Sequence, residues 1–260
     1  MNNPLIHDIR TRPTAFIAMV LLVVLGVQLG MWQIRRADYK KSVALEILAK
    51  GQERPIRAGM DLVGVDDMFR PIQATGVWLS DQAIWLANRP HPKGRDPKTG
   101  ITTGFFLLMP LQIKDSPKEI VWVNRGWAPR SFIERMEVPE VITSRQETHV
   151  EGVVFAQEGK TFEFSKEAPK TPTDMASDGR KLQENIDLAQ EKLENQWAQL
   201  SFVIRQNQAE LKDGLDRHWP ASTLGVEKHE AYAAQWFGLA LMTFLFWGFT
   251  GLRKRFQSLR

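Results

Sequence analysis

The sequence predicts a membrane protein in which two transmembrane helices, one near each end, flank a soluble α+β domain. Residues 14–34 and 232–252 each form a run of 21 positions without a charged side chain. About 20 apolar residues suffice for a helix to cross a hydrocarbon core roughly 30 Å thick. Between the two runs, short apolar stretches separated by turn residues indicate strands.

The first run is interpreted as a membrane anchor, with a cleaved signal peptide as the alternative. It is longer than the roughly 7–15 apolar residues of a signal peptide, and no small-x-small cleavage site follows it. Only 13 residues precede it, which argues against a mitochondrial presequence. We therefore expect the plasma membrane of a bacterium.

Positive charges near the two runs predict the orientation in the membrane. Arginine and lysine collect in cytoplasmic flanking segments, and residues 253–260 contain four of them. Both termini are therefore expected in the cytoplasm. Residues 35–41 also contain four, which favours the opposite orientation. The C-terminal cluster carries more weight because long domains translocate largely regardless of charge.

The expected organisation has five parts, with the lipid bilayer as a partner. They are a cytoplasmic N-terminus (1–13), a transmembrane helix (14–34), a periplasmic α+β domain (35–231), a second transmembrane helix (232–252) and a cytoplasmic C-terminus (253–260).

The soluble domain is predicted to contain one antiparallel sheet, open or curled into a barrel, with one or two helices against it. A helix is expected over 35–51, ended by Gly51. Pro110 indicates an edge strand or a bulge, because proline cannot donate a ladder hydrogen bond. Six runs predict strands: 71–78, 83–87, 104–113, 120–123, 149–155 and 200–204.

The stretch from 156 to 199 is predicted to differ from the rest of the domain. Residues 156–180 are rich in proline, glycine, serine and threonine, which favours a long mobile loop. Leu182, Ile186, Leu193 and Trp197 then recur at helical spacing among charges, which predicts an amphipathic helix.

Composition excludes several classes of function. The chain has no cysteine, so disulfides and thiolate metal sites are excluded. The net charge of +4 is not gathered into a basic stripe with aromatic residues, so nucleic-acid binding is not expected. GxSxG, phosphate-loop and HExxH motifs are missing from the sequence, so the chain is not expected to be an enzyme.

Most of the five histidines are expected to be structural or solvent-exposed. His91 lies between prolines and is predicted to occupy an exposed loop, and His218 precedes a Trp-Pro pair and is also placed in a loop. His149 is expected on the solvent face of its strand. His229 differs because it stands just before the second transmembrane run.

The candidate site lies where the two runs meet the outer membrane surface. Tyr232 and Trp236 follow His229 at i+3 and i+7, so the three share one helical face. Trp32 and Gln33 end the first run, with Arg36 one turn beyond Trp32. If both termini are cytoplasmic, the two groups lie at the same membrane depth.

Small residues predict that the two helices pack closely below this site. The first run contains Gly26-x-x-x-Gly30, and the second contains Ala234-x-x-x-Gly238. Small residues at this spacing allow two helix backbones to approach in lipid. The expected arrangement is an antiparallel hairpin of helices.

Such a site could hold haem or could be an ordinary interfacial belt. A neutral His229 imidazole is a suitable axial ligand for haem iron, with Tyr232 and Trp236 as flat walls. Arg36 or Arg125 could pair with the propionates. Alternatively, the aromatic residues form a belt and His229 extends to the headgroups. The residues alone favour the belt.

Arg125 has a structural alternative of its own. It lies in Asn124-Arg125-Gly126-Trp127, after an apolar run. Gly126 could provide a positive φ for a turn, with the Asn124 side chain capping it and Trp127 in the core.

Three motifs carry a resemblance to a known family. They are Gly30-x-Trp32-Gln33-x-x-Arg36-x-x-x-Lys40, Val123-Asn124-Arg125-Gly126-Trp127-Ala128-Pro129 and Lys228-His229-x-x-Tyr232-Ala233-x-Gln235-Trp236-Phe237. In this order, and with a two-span topology, the chain resembles the Surfeit locus protein 1 family over nearly its whole length. Residues 156–199 look divergent.

The resemblance implies an assembly factor for haem–copper cytochrome c oxidase rather than an enzyme. Such a factor would hold haem a or deliver it to the large catalytic subunit, with that subunit and other assembly factors as partners. His229 stands at the position of the implicated haem ligand. The alternative is a membrane scaffold or chaperone for oxidase subunits that does not itself bind haem.

Overall fold

The computed structural model describes residues 12–96, 99–134, 136–157, 174–187, 191, 197–208, 211–219 and 225–258, with side chains near the C-terminus described to Gly251 and at Arg253. The chain forms two compact units. We call residues 1–46 with 221–260 the helical unit, and residues 47–220 the β unit.

Two long helices dominate the helical unit. Helix α1 is Pro13–Lys50 and helix α2 is Val226–Ser258. Pro13–Lys50 and Val226–Gly251 are both long and apolar enough to cross a membrane. The predicted helix over 35–51 is confirmed as the continuation of α1, and Gly51 follows its last residue.

The two helices pack along a seam with a period of 3.5 residues. Adjacent helices keep the same faces together when contact positions recur in steps of three and four. The buried or half-buried positions that follow these steps in α1 are Met19, Val23, Gly26, Gly30, Gln33, Ala37, Lys40 and Ala44. Those in α2 are Val226, His229, Ala233, Trp236, Ala240, Thr243, Trp247 and Thr250.

Gly26 and Gly30 allow the closest approach along this seam. A Cβ atom at Gly26 would lie 3.1 Å from the Trp236 carbonyl oxygen and 3.1 Å from Ala240 Cβ. One at Gly30 would lie 2.6 Å from the Phe237 ring. The predicted role of both glycines in helix packing is therefore confirmed.

The predicted partner motif in α2 is wrong. Ala234 is exposed, and a Cβ at Gly238 would meet nothing within 4 Å among the described residues. Ala233 and Ala240 occupy the seam instead, and the Phe237 ring packs over Gly30. Successive residues of a helix are rotated by about 100°. Ala234 and Gly238 each lie one position after a residue that faces α1, so they are turned away from it.

The β unit contains a closed five-stranded barrel. Nine strands are described: β1 Ile56–Arg57, β2 Pro71–Trp78, β3 Ile84–Pro90, β4 Thr103–Ile113, β5 Glu119–Pro129, β6 Thr148–Phe155, β7 Asp174–Met175, β8 Lys181–Gln183 and β9 Ala198–Gln206. The barrel order is β2-β6-β9-β5-β4, and β4 returns to β2. The barrel-like alternative is thus confirmed, and each predicted strand overlaps an observed one.

Most strand pairs are antiparallel, as predicted, but the barrel contains one parallel pair, β5 with β9. Strands β3, β8 and β7 extend the sheet from β4, and β1 pairs with β2. Gly76 lies at the closure between β2 and β4, where a Cβ atom would come within 2.0 Å of the Gln112 carbonyl oxygen. Only glycine fits this approach.

Pro110 does not mark a sheet edge. Strand β4 is central, with β5 along one side. Its other side pairs with β3 up to Leu108 and with β2 from Leu111. Pro110 therefore falls where the neighbouring strand changes, and its carbonyl accepts a hydrogen bond from the Leu79 amide.

The predicted helix near 182–197 is wrong at its beginning. Lys181–Gln183 is a strand that pairs with β3, and Leu182 is buried in the core. A strand alternates its side chains, so the apolar Leu182 between two half-buried neighbours fits this environment. Residues 188–190 and 192–196 lie outside the described residues.

The predicted loop over 156–180 includes one strand, since Asp174–Met175 pairs antiparallel with β8. Residues 158–173 lie outside the described part of the chain.

We expect Gly30→Leu to destabilise the helical unit, because the new side chain would overlap the Phe237 ring. Overpacking typically costs about 1–3 kcal/mol. The matched control is Gly238→Leu, where the added side chain meets open space. Thermal unfolding of the purified chain in detergent should show a lower midpoint for Gly30→Leu alone. Equal unfolding midpoints for the two variants would contradict the close packing of Gly30 against Phe237.

Candidate functional site

His229 is joined to α1 by a hydrogen bond across the seam. Its Nδ1 lies 2.7 Å from Oε1 of Gln33. An amide oxygen can only accept, so Nδ1 carries the proton in this contact. Nε2 makes no hydrogen bond to any described residue, so it is the ring nitrogen left for a ligand. This is the geometry in which a histidine can bind a metal ion through Nε2.

The surroundings of His229 combine apolar walls with charge. Trp236 and Phe237 are half-buried further along α2, and Phe237 covers Gly30. Lys41 and Glu230 form an ion pair of 2.6 Å between α1 and α2 on the exposed surface. The ion pair and the Gln33 hydrogen bond join the two helices at the level of His229.

The other predicted site residues of the helical unit are more exposed. Trp32 and Tyr232 each have 52% of their surface exposed. The Arg36 guanidinium lies 5.4 Å from the centre of the Tyr39 ring. Gln33 was predicted to lie beside Trp32 at the end of the first run, but it was not chosen as a site residue. The signal in the sequence was an uncharged polar residue at the end of a largely apolar run.

Arg125 is a buried structural residue of the β unit. Its Nη2 donates to Oδ2 of Asp213 at 3.0 Å, and its Nη1 donates to Oγ1 of Thr143 at 2.6 Å. Its guanidinium also lies over the Trp78 ring at 4.9 Å. These contacts support the structural alternative for this residue.

The local features predicted for this alternative are present, but inside a strand instead of a turn. Gly126 has φ of 144°, its amide donates to Asn124 Oδ1 at 3.1 Å, and Trp127 is buried. Strand β5 continues through all three. Leu107 lies opposite Gly126 and Leu108 lies opposite Asn124, so the extra residue is Arg125. A β-bulge therefore directs this side chain.

Asp213 is shared by two buried arginines. Arg217 Nη1 donates to Asp213 Oδ1 at 3.0 Å, and Arg217 Nη2 also contacts this carboxylate. Burial alone would raise the pKa of Asp213, but the hydrogen bonds and charge of Arg217, with help from Arg125, hold that pKa below its usual value. Burial in turn lowers the pKa of the Arg125 guanidinium, against the charge of Asp213.

The prediction that His91 occupies an exposed loop is wrong. His91 is 2% exposed, and its ring packs edge-on against Trp127. The Lys93 amide donates to Nδ1 at 3.1 Å, so Nε2 carries the proton and donates to Asp216 Oδ2 at 3.0 Å. Both ring nitrogens are thus used, which indicates a structural role.

The remaining histidines of the β unit match their predictions. His149 is exposed on β6. His218 lies in a loop, where its Nδ1 is 2.6 Å from Asp216 Oδ1. Burial would raise the pKa of Asp216, but hydrogen bonds from His218 and His91 hold that pKa below its usual value.

Among the described residues, no group of three histidine or acidic side chains is placed to hold a metal ion.

The sequence matches one family over most of its length. A family model described as the SURF1 family matches residues 20–241. The chain belongs to the SURF1 family. The matched range contains His229, Gln33 and Arg125, and thus both the seam and the buried arginine cluster.

Individual relatives of the SURF1 family are more distant. A SURF1-like protein of Drosophila melanogaster is 25% identical over 151 residues, which are 55% of this chain and 49% of that protein. Surfeit locus protein 1 of Arabidopsis thaliana is 33% identical over 122 residues, covering 42% of this chain and 32% of the relative. Human Surfeit locus protein 1 is 24% identical over 144 residues, covering 52% and 45%. The chain spans half or less of the length of these curated relatives.

We expect Asp213→Asn to destabilise this SURF1-family chain at neutral pH by about 3–5 kcal/mol, because Arg125 and Arg217 would lose their buried counter-charge. The control is Asp81→Asn, which changes an exposed aspartate of the same unit. Chemical denaturation followed by tryptophan fluorescence measures both. An equal loss of unfolding free energy in the two variants would contradict the role of Asp213.

The same carboxylate predicts a dependence on pH. A lowered pKa in the folded state means that Asp213 stabilises the fold above its unfolded value of 3.8, and that this stabilisation is lost as the pH falls through the folded value. The free energy of unfolding should therefore drop below about pH 4. The drop should be smaller in Asp213→Asn, and an identical drop would contradict the assignment.

Proposed function

We propose that this chain is an assembly factor for haem–copper cytochrome c oxidase, and that it holds haem a or delivers it to the large catalytic subunit. The observation that carries the proposal is the hydrogen bond between His229 Nδ1 and Gln33. A metal-binding histidine almost always donates its other ring proton to an oxygen acceptor, which fixes the tautomer and the ring orientation. Gln33 provides such an acceptor.

The residues near His229 fit a haem group. If haem is bound, it would supply an iron that the His229 imidazole could ligate. Gln33 keeps the proton on Nδ1 and leaves Nε2 for that ligand position. Trp32 and Tyr232 present exposed aromatic surface, and Arg36, one turn beyond Gln33 on α1, could pair with a propionate. Trp236 is half-buried in the seam, where its backbone carbonyl oxygen lies close to Gly26.

The observed seam also favours the second candidate, a scaffold that binds no haem. The seam continues beyond the predicted transmembrane run to Ala44, and it pairs the helices through their own side chains. A rigid helix pair of this kind can present a surface to oxidase subunits without any cofactor. The two candidates differ in whether His229 is needed.

We expect haem a to co-purify with the wild-type chain expressed in cells that make haem a. His229→Ala should lose the haem absorbance, and Gln33→Leu should reduce it because the imidazole loses its orientation. The control is His149→Ala, an exposed histidine of the β unit that should keep normal haem. Visible spectra of the purified proteins measure this. The absence of haem in the wild type, or equal haem in His229→Ala, would leave the scaffold as the better candidate.

The membrane topology belongs to the same proposal. We propose that α1 and α2 cross a bacterial inner membrane, with both termini cytoplasmic and the β unit in the periplasm. The four positive charges of residues 253–260 favour this orientation, and long domains translocate largely regardless of the charges that flank them.

The lack of natural cysteines makes this topology directly testable. In intact cells, Asp81→Cys should react with a membrane-impermeant maleimide that reaches the periplasm, because Asp81 is exposed in the β unit. Arg253→Cys, near the end of α2, should react only after lysis. The opposite labelling pattern would place the β unit in the cytoplasm and overturn the proposed orientation.

A further inference from the structure

The helical unit has a second feature at the opposite end from His229. An open cleft of about 880 Å³ lies between the beginning of α1 and the end of α2. It is lined by Arg12, Pro13, Thr14, Ala15, Ala18, Met19, Leu22, Thr243, Phe246, Trp247, Thr250 and Arg253. The proposed haem site uses none of these residues.

The cleft has an apolar wall and a positive mouth. Ala18, Leu22 and Phe246 provide aliphatic and aromatic surface along the helices. Arg12 and Arg253 lie where the two predicted transmembrane runs end. Its described lining contains no acidic side chain, and the first turn of α1 has none either. The charge of the lining is therefore +2, next to a surface suited to an acyl chain.

Trp247 forms part of the cleft and packs against Phe16, with the ring centres 5.4 Å apart. Its side chain is 9% exposed, and its Nε1 has no hydrogen-bond partner among the described residues. A buried donor without an acceptor is unfavourable. An oxygen atom of a bound ligand would remove this cost.

We propose that this cleft binds an anionic phospholipid. The phosphate would lie between Arg12 and Arg253, because guanidinium groups form strong charge-assisted hydrogen bonds with phosphate oxygens. One acyl chain would follow the surface made by Ala18, Leu22 and Phe246. The proposal rests on the membrane-spanning role of the helices and is independent of haem binding.

The placement at the ends of the helices agrees with this ligand. Positively charged pockets at the cytoplasmic ends of transmembrane helices are suited to anionic headgroups. If the topology proposed above is correct, Arg12 and Arg253 lie at the depth of the cytoplasmic leaflet. A phospholipid there would contact both helices at once and hold their ends together.

The test uses the full chain purified in detergent. Binding of phosphatidylglycerol, phosphatidylcholine with the same acyl chains, and inorganic phosphate is measured by native mass spectrometry and by the shift of the unfolding midpoint. We expect phosphatidylglycerol to bind and to raise the midpoint. Phosphatidylcholine should bind at least about tenfold more weakly, since its headgroup carries no net charge.

Two variants and a control separate the parts of the site. Arg12→Gln with Arg253→Gln should weaken phosphatidylglycerol binding at least about tenfold, since two charge-assisted contacts are lost. Ala18→Phe keeps both charges but fills the wall, and it should also weaken lipid binding. Lys93→Gln with Arg95→Gln removes two exposed charges of the β unit and should change nothing.

Three results would overturn the proposal. They are equal binding of the two lipids, normal phosphatidylglycerol binding by the double arginine variant, and an equal midpoint shift with inorganic phosphate, which would indicate a site for a soluble anion. The lipid-binding measurement does not depend on whether the protein contains haem. A chain that binds lipid but no haem would therefore leave this inference standing while the haem proposal fails.

Discussion

The close contact between α1 and α2 determines which polar groups of the helical unit can meet. Gly26 and Gly30 bring the α1 backbone against Trp236, Phe237 and Ala240. This separation is short enough for the Gln33 amide to reach the His229 ring at 2.7 Å. A larger side chain at either glycine would separate the helices and break the hydrogen bond that fixes the imidazole tautomer. The proposed cofactor chemistry thus depends on two residues that carry no functional group.

The β unit is constrained differently, because its buried charged side chains need partners of opposite charge. A bulge in β5 turns Arg125 towards Asp213, and Arg217 approaches the same carboxylate. Since burying an unpaired ion is costly, the three side chains depend on one another. Such a cluster is weak evidence for added stability, but its hydrogen bonds favour arrangements in which all three side chains meet. Residues 211–219 are thereby held against β5, where Asp216 also pairs with Trp127.

The sequence predicted the elements well where the signal was local. The apolar runs and the strand over 71–78 depend on hydropathy and alternation within a few residues, and they were found where expected. Within the candidate site, helical spacing placed His229 and Trp236 on one face of α2, and both are half-buried in the seam. The partner Gln33 was not identified in this way, because a hydrogen bond between residues 196 positions apart leaves no local pattern.

The wrong predictions share the same physical cause. His91 was expected in solvent because prolines surround it, yet its burial depends on Trp127 and Asp216, which are distant in sequence. Ala234 and Gly238 have suitable spacing, but the face that meets α1 is set by the neighbours of that motif along the whole seam. Leu182 fits a helical period with three other residues, but its pairing with β3 outweighs that preference.

The parallel contact between β5 and β9 has a consequence for biosynthesis. Strand β9 lies between β5 and β6 in the barrel, yet it is the last of the described strands to emerge during translation. Until it arrives, the nascent barrel stays open, with the edges of β5 and β6 unpaired and prone to aggregate. Closure over such a long sequence separation is intrinsically slow. Helix α2 begins at Val226 and is the next helix or strand described after β9, so the nascent protein can complete its helix pair soon after its barrel.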